Sequence, residues 1–189
     1  VEGKTSFEMR QQSTYSGWDF NNTWKMARLD GKYIGLPIFK WIGDTYGAWE
    51  GNGAQSNPYL IRTVGNLKRL ALEVNLGDSK QGKYYKLMND LDLEGNDRNQ
   101  WTPIGNTLSQ TFNGHFDGNG KIIKNLYVDI PGATYVGLFG YCLEGTIRNL
   151  GVENVYVAGR EMVGGLTGLA FGKANSRSGC LIENCYTTG

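Results

Sequence analysis

The chain has 189 residues, with 19 basic and 18 acidic side chains and a formal charge of +1, and neither sign gathers into a long block. That balance excludes the electrostatic footprint of a nucleic-acid binder. An apolar content of 40% with 12% aromatics excludes a disordered chain, and 28 glycines without a three-residue period exclude collagen.

Residues 1–46 are aromatic-rich and set apart from the rest. Thr5-Ser6-Phe7-Glu8 has capping-box spacing and predicts a short helix over 6–13. Tyr15, Trp18, Phe20, Trp24, Tyr33, Phe39 and Trp41 then read as the core of a small module, with stacking on sugars as the functional alternative. Asn21-Asn22-Thr23 fits a glycosylation acceptor. Residues 47–83 form a linker and a helix. Gly47, Gly51, Gly53 and Asn57-Pro58 mark the boundary, and Leu67, Leu70, Ala71 and Val74 recur at helical spacing, predicting a helix over 64–75 N-capped by Thr63. Its apolar stripe is expected to cap the β region that follows.

From Tyr84 the alternation is that of strands, with Tyr85, Leu87, Asn89, Leu91 and Leu93 as the inward row. A polar loop spans 94–100, Trp101-Thr102-Pro103-Ile104-Gly105 starts the next β segment, and Phe112 to Gly120 reads as a strand ending in a tight turn at Gly118-Asn119-Gly120. Beyond it the sequence repeats. Ile122-Ile123-Lys124-Asn125-Leu126 returns as Thr146-Ile147-Arg148-Asn149-Leu150 and as Leu181-Ile182-Glu183-Asn184-Cys185, at steps of 24 and 35 residues. Tyr135-Val136-Gly137-Leu138-Phe139-Gly140 returns as Met162-Val163-Gly164-Gly165-Leu166-Thr167-Gly168. Units this short cannot bury an apolar face alone and must stack on one another. The expected fold is therefore all-β: a right-handed parallel β-helix, or β-solenoid, over 84–189, with Asn125, Asn149 and Asn184 at one place in successive turns and the excess residues of 169–179 bulging out as an insertion.

The ordered series Gly51-Asn52-Gly53, Asn57 to Ile61, Leu87 to Leu93, Trp101 to Gly105, Phe112 to Gly120, Gly137-Leu138-Phe139-Gly140 and Asn184 to Gly189 resembles the bacterial GLUG-repeat proteins. These are large surface or secreted polypeptides, also associated with M26-type immunoglobulin A1 peptidases. Residues 1–41 are similar to the segment that closes an array of such repeats, so they are expected to be the tail of a preceding unit. The resemblance implies an extracellular or bacterial cell-surface location.

Candidate chemistry is sparse. His115 is the single histidine and has neither zinc-site nor triad spacing. Asp90, Asp92 and Asp117 are the carboxylates best placed by sequence to share a groove, where a pair would support glycoside hydrolysis. Asp92, Glu94, Asn96, Asp97 and Asn99 gather calcium-type oxygen donors without the spacing of an EF-hand. Cys185 stands where the other repeats have Leu126 and Leu150 and reads as a small buried hydrophobe; Cys180 is a candidate partner for it, and Cys142 is left over. No run is long enough for a membrane-spanning helix, so direct membrane insertion is not expected. The chain reads as a piece of a longer polypeptide.

No catalytic, cofactor or metal residue is therefore assigned. The expected function is a non-catalytic architectural or adhesion module whose partners are other domains of its polypeptide and a host or cell-surface protein or glycan. A carbohydrate-binding or polysaccharide-cleaving β-helix is the alternative.

Overall fold

The computed structural model describes residues 24–29, 32–39, 46, 48–172 and 179–189. The chain divides into two compact units, residues 1–48 and 49–189. In the first, β1 (Trp24–Leu29) and β2 (Lys32–Phe39) pair antiparallel, with a register shift between Met26 and Arg28. The intervening sequence is Asp30-Gly31, a strong two-residue hairpin signal that the aromatic pattern obscures. The expected helix over 6–13, the acceptor Asn21-Asn22-Thr23 and the aromatic side chains from Tyr15 to Trp41 lie outside the described residues.

The second unit opens with β3 (Tyr59–Ile61) and α1 (Val64–Asn75). Thr63 is the N-cap in extended conformation. Its Oγ1 accepts from the Asn66 N–H at 3.2 Å, while Asn66 Oδ1 accepts from the Thr63 N–H at 3.3 Å and the Arg62 N–H at 3.1 Å. This reciprocal pairing satisfies N–H groups that the first turn leaves without helical partners. Leu67, Leu70, Ala71 and Val74 are buried as the spacing predicts. The polar side of the helix is held by a cluster in which Glu73 accepts from Arg69 at 2.7 Å, from Lys80 at 2.7 Å and from Trp49 Nε1 at 3.2 Å, and Lys80 also pairs with Asp78. Lys80 is buried, so removing both Glu73 and Asp78 would strand its charge in the interior.

The strands that follow are β4 (Tyr84–Leu87), β5 (Leu91–Asp92), β6 (His115–Lys124), β7 (Tyr127–Asp129), β8 (Thr134–Val136), β9 (Phe139–Leu143), β10 (Thr146–Glu153), β11 (Tyr156–Ala158), β12 (Glu161–Val163), β13 (Thr167–Phe171) and β14 (Leu181–Thr187). One parallel six-stranded sheet runs β14-β10-β6-β4-β3, with β5 beside the second half of β6. Three separate parallel pairs complete the unit: β7 with β11, β8 with β12 and β9 with β13.

This topology corrects the expected parallel β-helix with an all-β chain. The unit is mostly β, built from one six-stranded sheet, several short parallel pairs and one α-helix, and the continuous multi-strand sheets of a solenoid are not what the remaining strands form. The physical cause is strand length. β7, β8, β11 and β12 have three residues each, and positive-φ residues at Asn125, Tyr135, Asn154 and Met162 turn the chain before or within them.

Register also corrects the 24-residue repeat. Ile147 pairs with Phe116, while Ile123 pairs with Val152, so the two similar phrases are not neighbours. Gly118-Asn119-Gly120 is not a strand end but an irregularity inside β6: between the pairs Arg148–Asp117 and Leu150–Lys121, residues 118–120 stand opposite Asn149. A Cβ on Gly118 would press into the Asn149 carbonyl and Leu150, which is why the residue there has none. The second repeated phrase does coincide with a structural one, with Val136 opposite Val163 and Phe139 opposite Thr167. Asn89 is exposed, its Nδ2 donating to the Arg62 carbonyl at 2.8 Å, so the inward row lacks it.

The buried row Ile61, Leu87, Tyr85, Phe116 and Ile147 continues into Val136, Leu138 and Phe139, with ring contacts linking Trp49, Tyr59, Tyr85, Phe112, Phe139 and Phe116 at 5.1–6.3 Å between centroids. Cys142 of β9 is disulfide-bonded to Cys180 across 38 residues, correcting the Cys180–Cys185 alternative; Cys185 is free and half-buried opposite Leu150. By the chain-entropy argument a loop of that length is worth about 4 kcal/mol, and it pins the chain where it re-enters the sheet. Leu169, Ala170 and Phe171 belong to β13, so the expected insertion begins later than the sequence suggested, and residues 173–178 lie outside the described residues.

Leu70 is fully buried beneath α1. Leu70→Ala is expected to lower the urea unfolding free energy by about 2–5 kcal/mol; an unchanged midpoint and slope would show the helix to be peripheral.

Candidate functional site

In β4, β6 and β10 the residues Tyr85, Phe116 and Ile147 are buried, and the residues on either side of each turn outward. Around the buried Tyr85, Phe116 and Ile147, register therefore builds two parallel outward rows. The first is Tyr84, His115, Thr146 and Leu181; the second is Leu60, Lys86, Asp117, Arg148 and Glu183. Together with Gln55, Ser56, Pro58 and Met88 they line a groove of about 600 Å³ that crosses five strands.

Within the first row the Tyr84 and His115 rings stack at 4.3 Å with 26° between planes, and His115 Nδ1 lies 3.2 Å from Thr146 Oγ1. The second row alternates in sign: Lys86, Asp117, Arg148, Glu183. Adjacent parallel strands are about 4.8 Å apart, so each charge faces opposite neighbours. Arg148 grips Asp117, with Nη2 at 2.8 Å and Nε at 3.2 Å from one carboxylate oxygen. The other oxygen accepts from the Asn119 N–H at 2.8 Å and from Asn149 Nδ2 at 3.1 Å. Burial alone would push the Asp117 carboxyl up, but the Asn149 and Asn119 hydrogen bonds and the Arg148 guanidinium outweigh it and hold the carboxyl below its ordinary range. Partial burial, and after it the nearby Arg148 charge, holds the His115 imidazole below its usual value of 6.5.

The three carboxylates singled out from sequence do not converge. Asp117 lines the groove, whereas Asp90 and Asp92 do not. Asp90 Oδ1 accepts from the Ile122 N–H at 2.9 Å. Asp92 Oδ1 accepts from the Glu94 N–H at 2.9 Å and from Asn125 Nδ2 at 2.6 Å, and these bonds with the nearby Lys124 lower its pKa. The oxygen-rich loop 94–99 is likewise turned on itself. Asn96 Oδ1 accepts from the Arg98 N–H at 3.0 Å, and Asn99 Nδ2 donates to the Leu93 carbonyl at 2.9 Å. Among the described residues no three His, Cys, Asp or Glu side chains form a group able to hold a metal ion.

The repeated asparagines form two ladders rather than one. Asn125 Nδ2 donates to Asp92, and Asn154 Nδ2 donates to Asn125 Oδ1 at 2.5 Å. Asn149 Nδ2 donates to Asp117, and Asn184 Nδ2 donates to Asn149 Oδ1 at 3.2 Å. All four asparagines have φ between 51° and 58°, a left-handed conformation that Asn tolerates better than most residues. Each ladder starts at an aspartate that only accepts, and each amide then donates backward. Asp117 is thus both the head of a ladder and the centre of the groove.

Sequence reasoning found His115 and Asp117 but missed Tyr84, Lys86, Thr146, Arg148 and Glu183. The available signal was local: Tyr84, Lys86, Thr146 and Arg148 each flank a buried apolar residue, and Glu183 takes the same place beside Ile182.

No protein-family model matches the chain. It is 31% identical over 131 residues to halomucin of Haloquadratum walsbyi, a match covering 66% of this chain and 1% of that protein. It is 33% identical over 129 residues to a protein provisionally named a Gly-rich membrane protein in Evansella cellulosilytica, covering 65% of this chain and 14% of that one. The crystal structure of a chain provisionally named an immunoglobulin A1 protease from Bacteroides ovatus superposes with a TM-score of 0.53 at 28% identity, over 74% of this chain and 40% of that chain. This chain thus spans a small part of the two sequence relatives and under half of the structural one.

A lowered histidine pKa means that the unfolded chain takes up the proton first. The His115 contribution to stability is therefore complete above the unfolded value and declines as pH falls through the folded one. Imidazole NMR titration is expected to give a midpoint below 6.5 that moves upward in Arg148→Gln; a midpoint unmoved by that substitution would separate His115 from the charged row.

Proposed function

We propose that the chain is a non-catalytic display or adhesion module of a surface or secreted polypeptide, engaging its partner along the groove of the six-stranded sheet. The observation that carries this reading is the state of Asp117. A general acid needs a raised pKa and a free proton, whereas Asp117 is held ionised by Arg148, Asn149 and the Asn119 N–H. Asp90 and Asp92 lie outside the groove, each accepting a backbone N–H, so they supply it with neither acid nor base.

Three further observations support a surface or extracellular setting. The Cys142–Cys180 disulfide belongs to an oxidising compartment. A relative is named a membrane protein, although no helix among the described residues is long and apolar enough to cross a membrane. The phrase Gly137-Leu138-Phe139-Gly140 and its counterpart at 164–168 support membership of the GLUG-repeat group, with the structural likeness to the Bacteroides ovatus chain in keeping with the peptidase-associated branch. The protease chemistry named for that chain is not carried over.

A glycan is the second reading for the occupant of the groove. It is favoured by the stacked Tyr84–His115 rings, which present an aromatic face beside hydrogen-bonding charges. Incubation with neutral and acidic polysaccharides is expected to yield no new reducing ends or unsaturated products. Turnover that disappears in folded Asp117→Asn or Glu183→Gln would overturn the non-enzyme reading. Glycan and surface-protein binding arrays are expected to give a signal that Tyr84→Ala weakens by about tenfold; a signal indifferent to Tyr84 and Arg148 substitutions would move the binding site elsewhere.

A further inference from the structure

The charges of the outward row are unequally satisfied. Asp117 is saturated: Arg148 Nε and Nη2 hold one carboxylate oxygen, and the Asn119 N–H and Asn149 Nδ2 hold the other. Its neighbours are not. Lys86 stands opposite Asp117 in register, yet among the described residues its ammonium has no carboxylate within ion-pair distance, because Asp117 pairs with Arg148 instead. Arg148 meets Asp117 only through Nε and Nη2, which leaves its Nη1 N–H groups without an acceptor among the described residues, and the side chain is 50% exposed. Glu183, opposite Arg148 and exposed, likewise has no cation within ion-pair distance among the described residues.

Charge along the groove therefore has an order: a free cation on β4, a spent anion on β6, a half-free cation on β10 and a free anion on β14. Neighbouring parallel strands lie about 4.8 Å apart, so Lys86 and Arg148 are rooted about 9.6 Å apart with a carboxylate between them. β4, β6 and β10 each have a strand on both sides, so these residues stand on the interior of the sheet face and not at its edge.

That pitch selects among extended polyanions. An acidic peptide repeats its same-face side chains about every 7 Å and falls out of step with the two cations. An extended, equatorially linked polysaccharide advances by close to one strand spacing per pyranose ring, so every second ring comes over a cation. A carboxylate on every ring would also set one over Asp117 and one beside Glu183, like charge against like, while a neutral chain would leave Lys86 without a partner. The matching order is acidic ring, neutral ring, acidic ring, neutral ring, with the hydroxyl donors of the neutral rings over the protein's carboxylates. In the adjoining row His115 meets Thr146 through Nδ1, which leaves its Nε2 and the Tyr84 hydroxyl for other ring hydroxyls.

We infer that the groove is a binding site for an acidic polysaccharide that carries a carboxylate on every second ring and runs across the strands from β4 to β14. The inference rests on the glycan reading of the groove and adds the charge pattern of the ligand.

The test uses the full chain and three oligosaccharides of equal length: a β-linked chain alternating glucuronate with N-acetylglucosamine, a β-linked chain of mannuronate alone, and a neutral cello-oligosaccharide. Calorimetry is expected to show the alternating chain binding about tenfold tighter than either of the others, with NMR shift changes centred on Lys86, His115 and Arg148. Lys86→Gln is expected to weaken the alternating chain by about tenfold and to leave the neutral one unchanged. Glu183→Gln is expected to narrow the gap between the mannuronate and alternating chains, and neither side chain has an ion pair whose loss would disturb folding. Equal binding of the neutral chain, with shifts at Tyr84 and His115, would overturn the charge pattern and leave the glycan reading standing. A preference for mannuronate, or full affinity in Lys86→Gln, would overturn the inference in the same way. No saturable binding of any of the three up to about 1 mM would overturn both, and binding of an acidic peptide at the same residues would then assign the groove to a protein.

Discussion

Everything in residues 49–189 depends on parallel register, and register depends on which residues can take a left-handed backbone while still pairing sideways. Asn125, Asn149, Asn154 and Asn184 do both. A plain alanine would meet only the steric cost there, about 1–2 kcal/mol per residue, and glycine would meet only the backbone demand. Asparagine takes the left-handed backbone more readily than alanine and adds a side-chain pairing that has a direction. Because each ladder begins at Asp92 or Asp117, the chain order of strands is written into the direction of side-chain hydrogen bonds.

The same register produces the groove. Once Phe116, Ile147 and Tyr85 align inward, Lys86, Asp117, Arg148 and Glu183 have no choice but to align outward, and their signs alternate. The carboxylate most suited by position to chemistry is thereby made a structural anion. Function and fold are coupled at Asp117: neutralising it removes a ladder head and an Arg148 partner together. Substitutions at Tyr84, whose role is confined to the outer surface, separate binding from stability more cleanly.

Legibility in the sequence followed the kind of interaction. The α1 helix and its Thr63 cap were readable because helical periodicity and capping act within a few residues. The short apolar runs were readable as strands. Their alignment was not, because two different left-handed corners use the same phrase, and Ile-x-Asn-Leu at 123–126 and at 147–150 therefore look like successive copies while Ile147 actually meets Phe116. That repetition implies a solenoid, whereas three-residue strands and positive-φ breaks leave one six-stranded sheet, separate pairs and a helix. The Cys142–Cys180 bond was hidden for the same reason, since it joins residues 38 apart whose proximity follows only from register. Of the groove, His115 and Asp117 stood out by residue type, but Arg148 and Tyr84 acquire meaning only beside them.

Hydrogen-bond couplings through the backbone test this account most directly. A long-range HNCO spectrum is expected to connect Thr146 N to the Gly114 carbonyl, Asn125 N to the Glu153 carbonyl and Leu181 N to the Gly145 carbonyl, each 2.9 Å apart. Correlations that instead join residues 122–126 to 146–150 would restore the sequence alignment of the repeats and contradict both the two ladders and the groove.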